Sequence, residues 1–434
     1  MLLKNGTLCD YQGETRADLR IANGVICEIG QDLLPQANEE VIECGARVIM
    51  PALIDMAYPK NKTLSRKNLE TLTQKALKGG VGSILLRPES TPRIDSAAII
   101  ELVSLLDSGL HVHFFPSIAP CKLQECAGQM GEIAMLVDSG ARAIYLDFAP
   151  ESGTPGEGKG AKGGQAQNEA KDTSQALDGY TLYKIAQYAQ MLQVPIIASP
   201  QEPSLSEGVM NESQVSAQLG LPAIPPLAQT LQVAKLCELA RYSGTKWVFD
   251  VISEVESLQI IECFRQMGAQ ILAQTSLHHL ILSDEHCAAF DTRFKLFPPL
   301  KDPTTREKLR AHLDSGISLL TCLQSDSYKS KKDQVFESAS FGINALEHYF
   351  SLGFSHLVKS GLITLSRFSE LTSYAQARLL SLPKGALEVG LDADLIIADL
   401  HHTHTISDLS SPYNGETLSG AVEQVIIAGK RVNC

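Results

Sequence analysis

The sequence predicts an α/β protein in which a parallel sheet is assembled from repeated strand–helix units, with a smaller set of short strands near both chain ends. Three observations carry this. Between about 51 and 385, apolar strand-like runs alternate with amphipathic helical stretches, the pattern of βαβ units. The first fifty residues are instead short strands broken by Gly and Asn turns, and strand runs return after Gly390. The 434 residues, 44% hydrophobic, suffice for one large domain and a smaller one with a full core.

In chain order, the opening strands are Met1 to Asn5, Leu19 to Ala22, Val25 to Ile29 and Glu40 to Glu43, with turns at Gly6, Asn23-Gly24 and Gly45. Eight further candidates follow: Val48 to Met56, Ser83 to Leu86, Val112 to Ile118, Ala143 to Phe148, Pro195 to Ala198, Trp247 to Ile252, Gln270 to Gln274 and Ile317 to Leu323. Eight such units suit a TIM-type (β/α)8 barrel, although periodicity alone leaves a doubly wound open sheet as an alternative. The last strands are Leu395 to Ala398 and Val422 to Ala428. Pro150 to Gly179 stands apart, with Gly-Glu-Gly-Lys-Gly-Ala-Lys-Gly-Gly at its centre and scarcely an aliphatic anchor, and is expected to be a flexible insertion. It is not a P-loop, because Lys159 and Lys162 are each followed by Gly instead of Ser or Thr.

A net charge of −12 gives no electrostatic reason for nucleic acid or an anionic membrane as partner. Met1-Leu2-Leu3-Lys4-Asn5-Gly6 turns polar at once, and no apolar run approaches the roughly 20 residues of a membrane span, so a cytoplasmic protein is expected. The ten cysteines include no Cys-x-x-Cys pair, which argues against a zinc knuckle or a disulfide framework.

The run Val48-Ile49-Met50-Pro51-Ala52-Leu53-Ile54-Asp55-Met56 and the later Gly79-Gly80-Val81-Gly82-Ser83-Ile84-Leu85-Leu86 resemble the first two barrel strands of a cyclic amidohydrolase, above all a dihydroorotase. Further segments extend this resemblance over nearly the whole chain. They are Gly208 to Ser213 with Leu219 to Pro225, Leu277-His278-His279 through Glu285, Phe294 to Lys301, and Phe341 to Glu347. The resemblance implies a TIM barrel over 51–385 and a small composite β-sandwich from 1–50 plus 386–434. It also implies zinc, held by a His-x-His pair, an acid or carbamylated lysine, two later histidines and an aspartate that acts as base.

At those positions this chain reads otherwise. The His-x-His pair is Ala57 and Pro59, the fifth-strand histidine is Ser199, the sixth-strand histidine is Val251, and the eighth-strand aspartate is Leu323. Only the fourth-strand acid survives, as Asp147. The arginine and asparagine that grip substrate correspond to Asn61 and Glu89, which removes a bidentate contact to the substrate carboxylate and adds a like charge. No zinc, no other cofactor and no catalytic or substrate-binding residue is therefore expected.

Other residues invite chemistry. His111-Val112-His113 is a literal His-x-His, but it starts a strand, whereas barrel chemistry lies at strand carboxyl ends. His278 and His279 have no ligand partner in this register, His401-His402-x-His404 reads as a solvated loop in preference to an adventitious nickel or zinc site, and Cys322 reads as a buried strand residue. Asp147 with Glu89 forms an ordinary polar pocket, and Ser199 lacks an activating base.

The family contains degenerate members that serve as structural partners of aspartate transcarbamoylase. The resemblance thus implies a non-catalytic, homo-oligomeric pseudoenzyme of pyrimidine biosynthesis that assembles with the catalytic chain of that enzyme. The alternatives are a cyclic amidohydrolase of dihydroorotase, hydantoinase or allantoinase type with an altered metal site, and a self-assembling scaffold unrelated to pyrimidine synthesis.

Overall fold

A computed structural model describes residues 1–56, 62–121, 131–148, 177–325 and 329–432. Strands β1 (Leu2–Asp10), β2 (Gly13–Ala22), β3 (Val25–Gly30), β4 (Val41–Glu43) and β5 (Val48–Pro51) belong to a terminal sheet. The barrel strands β6 (Leu53–Asp55), β7 (Val81–Leu86), β8 (His113–Ile118), β9 (Ala143–Asp147) and β10 (Ile196–Ser199) follow. After a two-stranded ribbon of β11 (Met210–Asn211) and β12 (Ala223–Ile224) come β13 (Trp247–Phe249), β14 (Ile271–Ser276) and β15 (Leu319–Thr321). The chain returns to the terminal sheet with β16 (Leu395–Thr405), β17 (Thr417–Ile427) and β18 (Lys430–Val432).

The eight barrel strands are parallel and pair in chain order from β6 to β15. The seam between first and last strand is joined by a side chain in place of a ladder. Asp55 accepts the Thr321 hydroxyl at 2.6 Å and the Cys322 amide at 3.2 Å. Inside, Ile54, Leu85, Tyr145, Ile197, Val248 and Leu319 pack in layers, and Ala377, Leu379, Leu380 and Leu382 plug the floor. The surrounding helices bury one aliphatic stripe each. Arg66–Lys78, for example, is capped by the Ser65 hydroxyl and turns Leu69, Leu72, Ala76 and Leu77 inward. Gly79 ends that helix where a side chain would strike the Leu346 carbonyl oxygen, 1.8 Å from an ideal Cβ.

The single strand expected from Val48 to Met56 is two strands. β5 pairs with β1 and β16 in the terminal sheet, and only β6 enters the barrel. Both halves are continuously apolar, so composition gave no sign of the break; Pro51, which lacks a backbone donor, ends the ladder. The terminal strands form one eight-stranded sheet whose strands from both chain ends share a core of Leu3, Leu19, Ile26, Ile49, Leu395 and Ile426. No helix among the described residues is long and apolar enough to cross a membrane.

Candidate functional site

The carboxyl ends of the barrel strands bring together Arg87 after β7, Tyr145 and Asp147 on β9, Ser199 on β10, Asp250 after β13 and Gln274 on β14. Alternate residues of a strand face the same way, so Tyr145 and Asp147 reach this mouth together. The Arg87 guanidinium is the hub. Its Nη2 donates to Asp147 Oδ2 at 2.9 Å, its Nε lies 3.4 Å from Glu89 Oε2, and its Cζ sits 4.3 Å over the Tyr145 ring. The Tyr145 hydroxyl donates to Asp250 Oδ2 at 2.7 Å and lies 3.2 Å from Ser199 Oγ, while Gln274 Nε2 donates to Asp250 Oδ1 at 2.7 Å.

All of these side chains are buried. Burial opposes the charge on Arg87, yet Tyr145, Asp147, Glu89 and Asp250 more than offset it and raise the guanidinium above its ordinary value. Burial raises the Asp250 carboxyl, against the pull of Arg87, Tyr145 and Gln274, and raises the Tyr145 phenol well above its usual range. The described groups of the mouth thus form an ionic network around the Arg87 guanidinium.

The substituted positions fall as follows. Ser199, Asp147 and Glu89 join this network. Val251 is buried, and its carbonyl accepts the Gln229 side-chain amide at 2.9 Å. Leu323 is half-buried with a left-handed backbone at φ 47°, and its amide donates to the Thr321 hydroxyl. Ala57, Pro59 and Asn61 lie outside the described residues, as does nearly all of the glycine-rich insertion.

These groups do not fit zinc. Ser199, Val251 and Leu323 supply no imidazole or carboxylate, and neither alanine nor proline carries a side-chain donor at 57 and 59. Asp147 is engaged by Arg87, and Asp250 by Tyr145 and Gln274. Among the described residues, no three His, Cys, Asp or Glu side chains converge to hold a metal.

Sequence reading missed Arg87, Tyr145, Asp250 and Gln274. A signal existed for Arg87, since an arginine directly ending the apolar run Ile84-Leu85-Leu86 must find a partner when buried. The decoys lie elsewhere. His113 meets Asp394 at 3.4 Å at the amino end of β8. His278 Nδ1 is 2.7 Å from the Tyr413 hydroxyl, and His279 bridges Ser276 Oγ and the Pro298 carbonyl. Burial pushes these two imidazoles down to about 3 and about 4, so both are neutral structural groups. Cys322 is buried, and burial raises its thiol well above the usual range.

A model of the amidohydrolase family matches residues 280–432. A probable dihydroorotase-like protein of Helicobacter pylori is 26% identical over 99% of this chain and 97% of its own length. The dihydroorotase of Anoxybacillus flavithermus is 27% identical over 99% of this chain and 98% of its own. Among solved structures, L-hydantoinase from Arthrobacter aurescens superposes with a TM-score of 0.84 at 20% identity, covering 99% of this chain and 95% of that one.

Proposed function

For this chain, which belongs to the dihydroorotase/amidohydrolase family, we propose a non-catalytic role in pyrimidine biosynthesis as a subunit that assembles with, and supports, the catalytic chain of aspartate transcarbamoylase. The observation that carries the loss of catalysis is the Arg87–Asp147 ion pair at 2.9 Å. Asp147 is the one acid kept at a ligand position, and it is neutralised by a guanidinium. Hydrolysis of a ring amide in this family needs a metal-activated water and a base. A guanidinium is neither a Lewis acid nor a proton acceptor at physiological pH. Ser199, Val251 and Leu323 replace the remaining groups with side chains that cannot substitute for them.

The partnership rests on kinship with dihydroorotases, whose degenerate members pair with the transcarbamoylase. A barrel retained over its full length around a disabled mouth leaves its surface as the part available to act. The test is to mix the purified chain with aspartate transcarbamoylase from the same organism. We expect co-elution as one complex and a gain in transferase activity or thermal stability. Absence of association would remove the partner role. Dihydroorotate turnover that a chelator abolishes would overturn the non-catalytic reading.

A further inference from the structure

Two neighbouring barrel helices, Gly179–Leu192 and Leu227–Ser243, leave an aromatic face open to solvent. Along the first, Leu182, Ile185, Ala186 and Ala189 turn to the core, and the opposite side carries Tyr180, Lys184, Gln187 and Met191 at helical spacing. Tyr180 is 68% exposed, Met191 65% and Tyr188, on the flank of the same side, 39%. The second helix adds Tyr242, 69% exposed, whose ring meets that of Tyr183 edge-on with centres 5.8 Å apart. The Lys184 ammonium lies 5.5 and 5.9 Å from the Tyr180 and Tyr183 ring centres, so the rings form one face across both helices.

The chemistry of this face matches a second copy of itself. The chain carries a net charge of −12, so two copies repel unless the surfaces that meet lack acidic groups. The helix Gly179–Leu192 has no carboxylate, and its single charge, Lys184, lies over its own tyrosine rings. Beside it, the Arg241 guanidinium donates to the Glu238 carboxylate at 3.0 Å, so those two charges offset each other. What remains, tyrosine hydroxyls and glutamine amides, both donates and accepts hydrogen bonds, and each such group can pair with its own twin across a two-fold axis. Tyrosine and methionine with few charges is also the composition of an interface core. At about 200 Å² for a full side chain, Tyr180, Tyr188, Met191 and Tyr242 together expose roughly 500 Å², more than half of the ~800 Å² that each partner gives to a standard interface.

We propose that this face joins two copies of the chain in a two-fold symmetric dimer, with the helix Gly179–Leu192 of one copy packed on the same helix of the other. The dimer forms without the transcarbamoylase and does not depend on the partnership proposed above.

The test is analytical ultracentrifugation of the full-length protein over a concentration series. A mass of two chains is expected. Y180E/M191E sets carboxylate against carboxylate and is expected to raise the dimer dissociation constant at least about hundredfold, with the circular dichroism spectrum unchanged. Y180K/M191K dissociates in the same way, and an equal mixture of the acidic and basic variants regains the dimer, which misfolded chains would not do. L409E, at a 75% exposed leucine between β16 and β17, leaves the dimer intact. A wild type that is monomeric at micromolar concentration, a dimer that survives Y180E/M191E, or a mixture that stays monomeric overturns the proposal. If the wild type is monomeric and Y180E/M191E abolishes co-elution with the transcarbamoylase, the face belongs to that partner and the dimer is wrong.

Discussion

The two ends of the barrel are held by the same kind of force but for different reasons. At the amino end, Asp394 accepts the Ala428 amide at 2.7 Å, pairs with Lys384 and lies 3.4 Å from His113, tying the terminal sheet to β8. At the carboxyl end, Arg87 gathers Asp147, Glu89 and the Tyr145 ring. In barrels of this class the amino end serves stability and the carboxyl end chemistry. Here both ends hold buried ionic networks. The difference lies in titration. Burial works to raise Asp394, but His113, Lys384 and the Ala428 amide outweigh it and lower the carboxyl to about 2, whereas burial raises Asp250 at the mouth.

The comparison is broken most severely at Arg87. R87M removes the buried guanidinium that Asp147 and Glu89 share and is expected to cost about 3–5 kcal/mol in denaturant unfolding. R87M/D147N recovers part of that loss, since the two residues share one network. A variant R87M as stable as the wild type would show that the network at the mouth does not hold the fold.

Next in size, D394N at the amino end is expected to cost about 3 kcal/mol near neutral pH. Because the folded carboxyl sits at about 2 against an ordinary 3.8, its contribution is present above pH 3.8 and is lost as pH falls through about 2. The penalty of D394N therefore shrinks over that window. Asp250 has the opposite sign. Its raised folded value means that its contribution is greatest at low pH and is lost as pH rises through that value. Urea unfolding of D394N and D250N across pH 2 to 7 should give opposite slopes, and parallel slopes would refute the contrast.

The smallest effect belongs to Ser199. S199A removes a hydroxyl 3.2 Å from the Tyr145 hydroxyl and should change stability by no more than about 1 kcal/mol in urea unfolding. A larger loss would give Ser199 a role beyond the edge of the network.

Much of the fold was legible because it rests on local pattern. The aliphatic runs at Ser83 to Leu86 and Ala143 to Phe148 declared themselves as barrel strands, and β7 and β9 stand there. The division of Val48 to Met56 was not legible, because both halves are equally apolar and only their partners differ. At the mouth, Ser199, Asp147 and Glu89 were singled out from the sequence and stand in the network. Arg87, Tyr145, Asp250 and Gln274 were not, since each matters through contacts with strands remote in the chain.

The amino-acid sequence by itself determined that Ala57, Pro59, Ser199, Val251 and Leu323 offer no imidazole or carboxylate, because ligand chemistry is a property of residue type. What stands at the mouth instead was decided only by tertiary structure. A guanidinium on one strand end and carboxylates on others become a network only when the barrel brings them within a few ångströms, and low-dielectric burial makes that proximity energetically decisive. The same holds for the stacked rings of His348 and His404, which are remote in the chain and meet only in the folded protein.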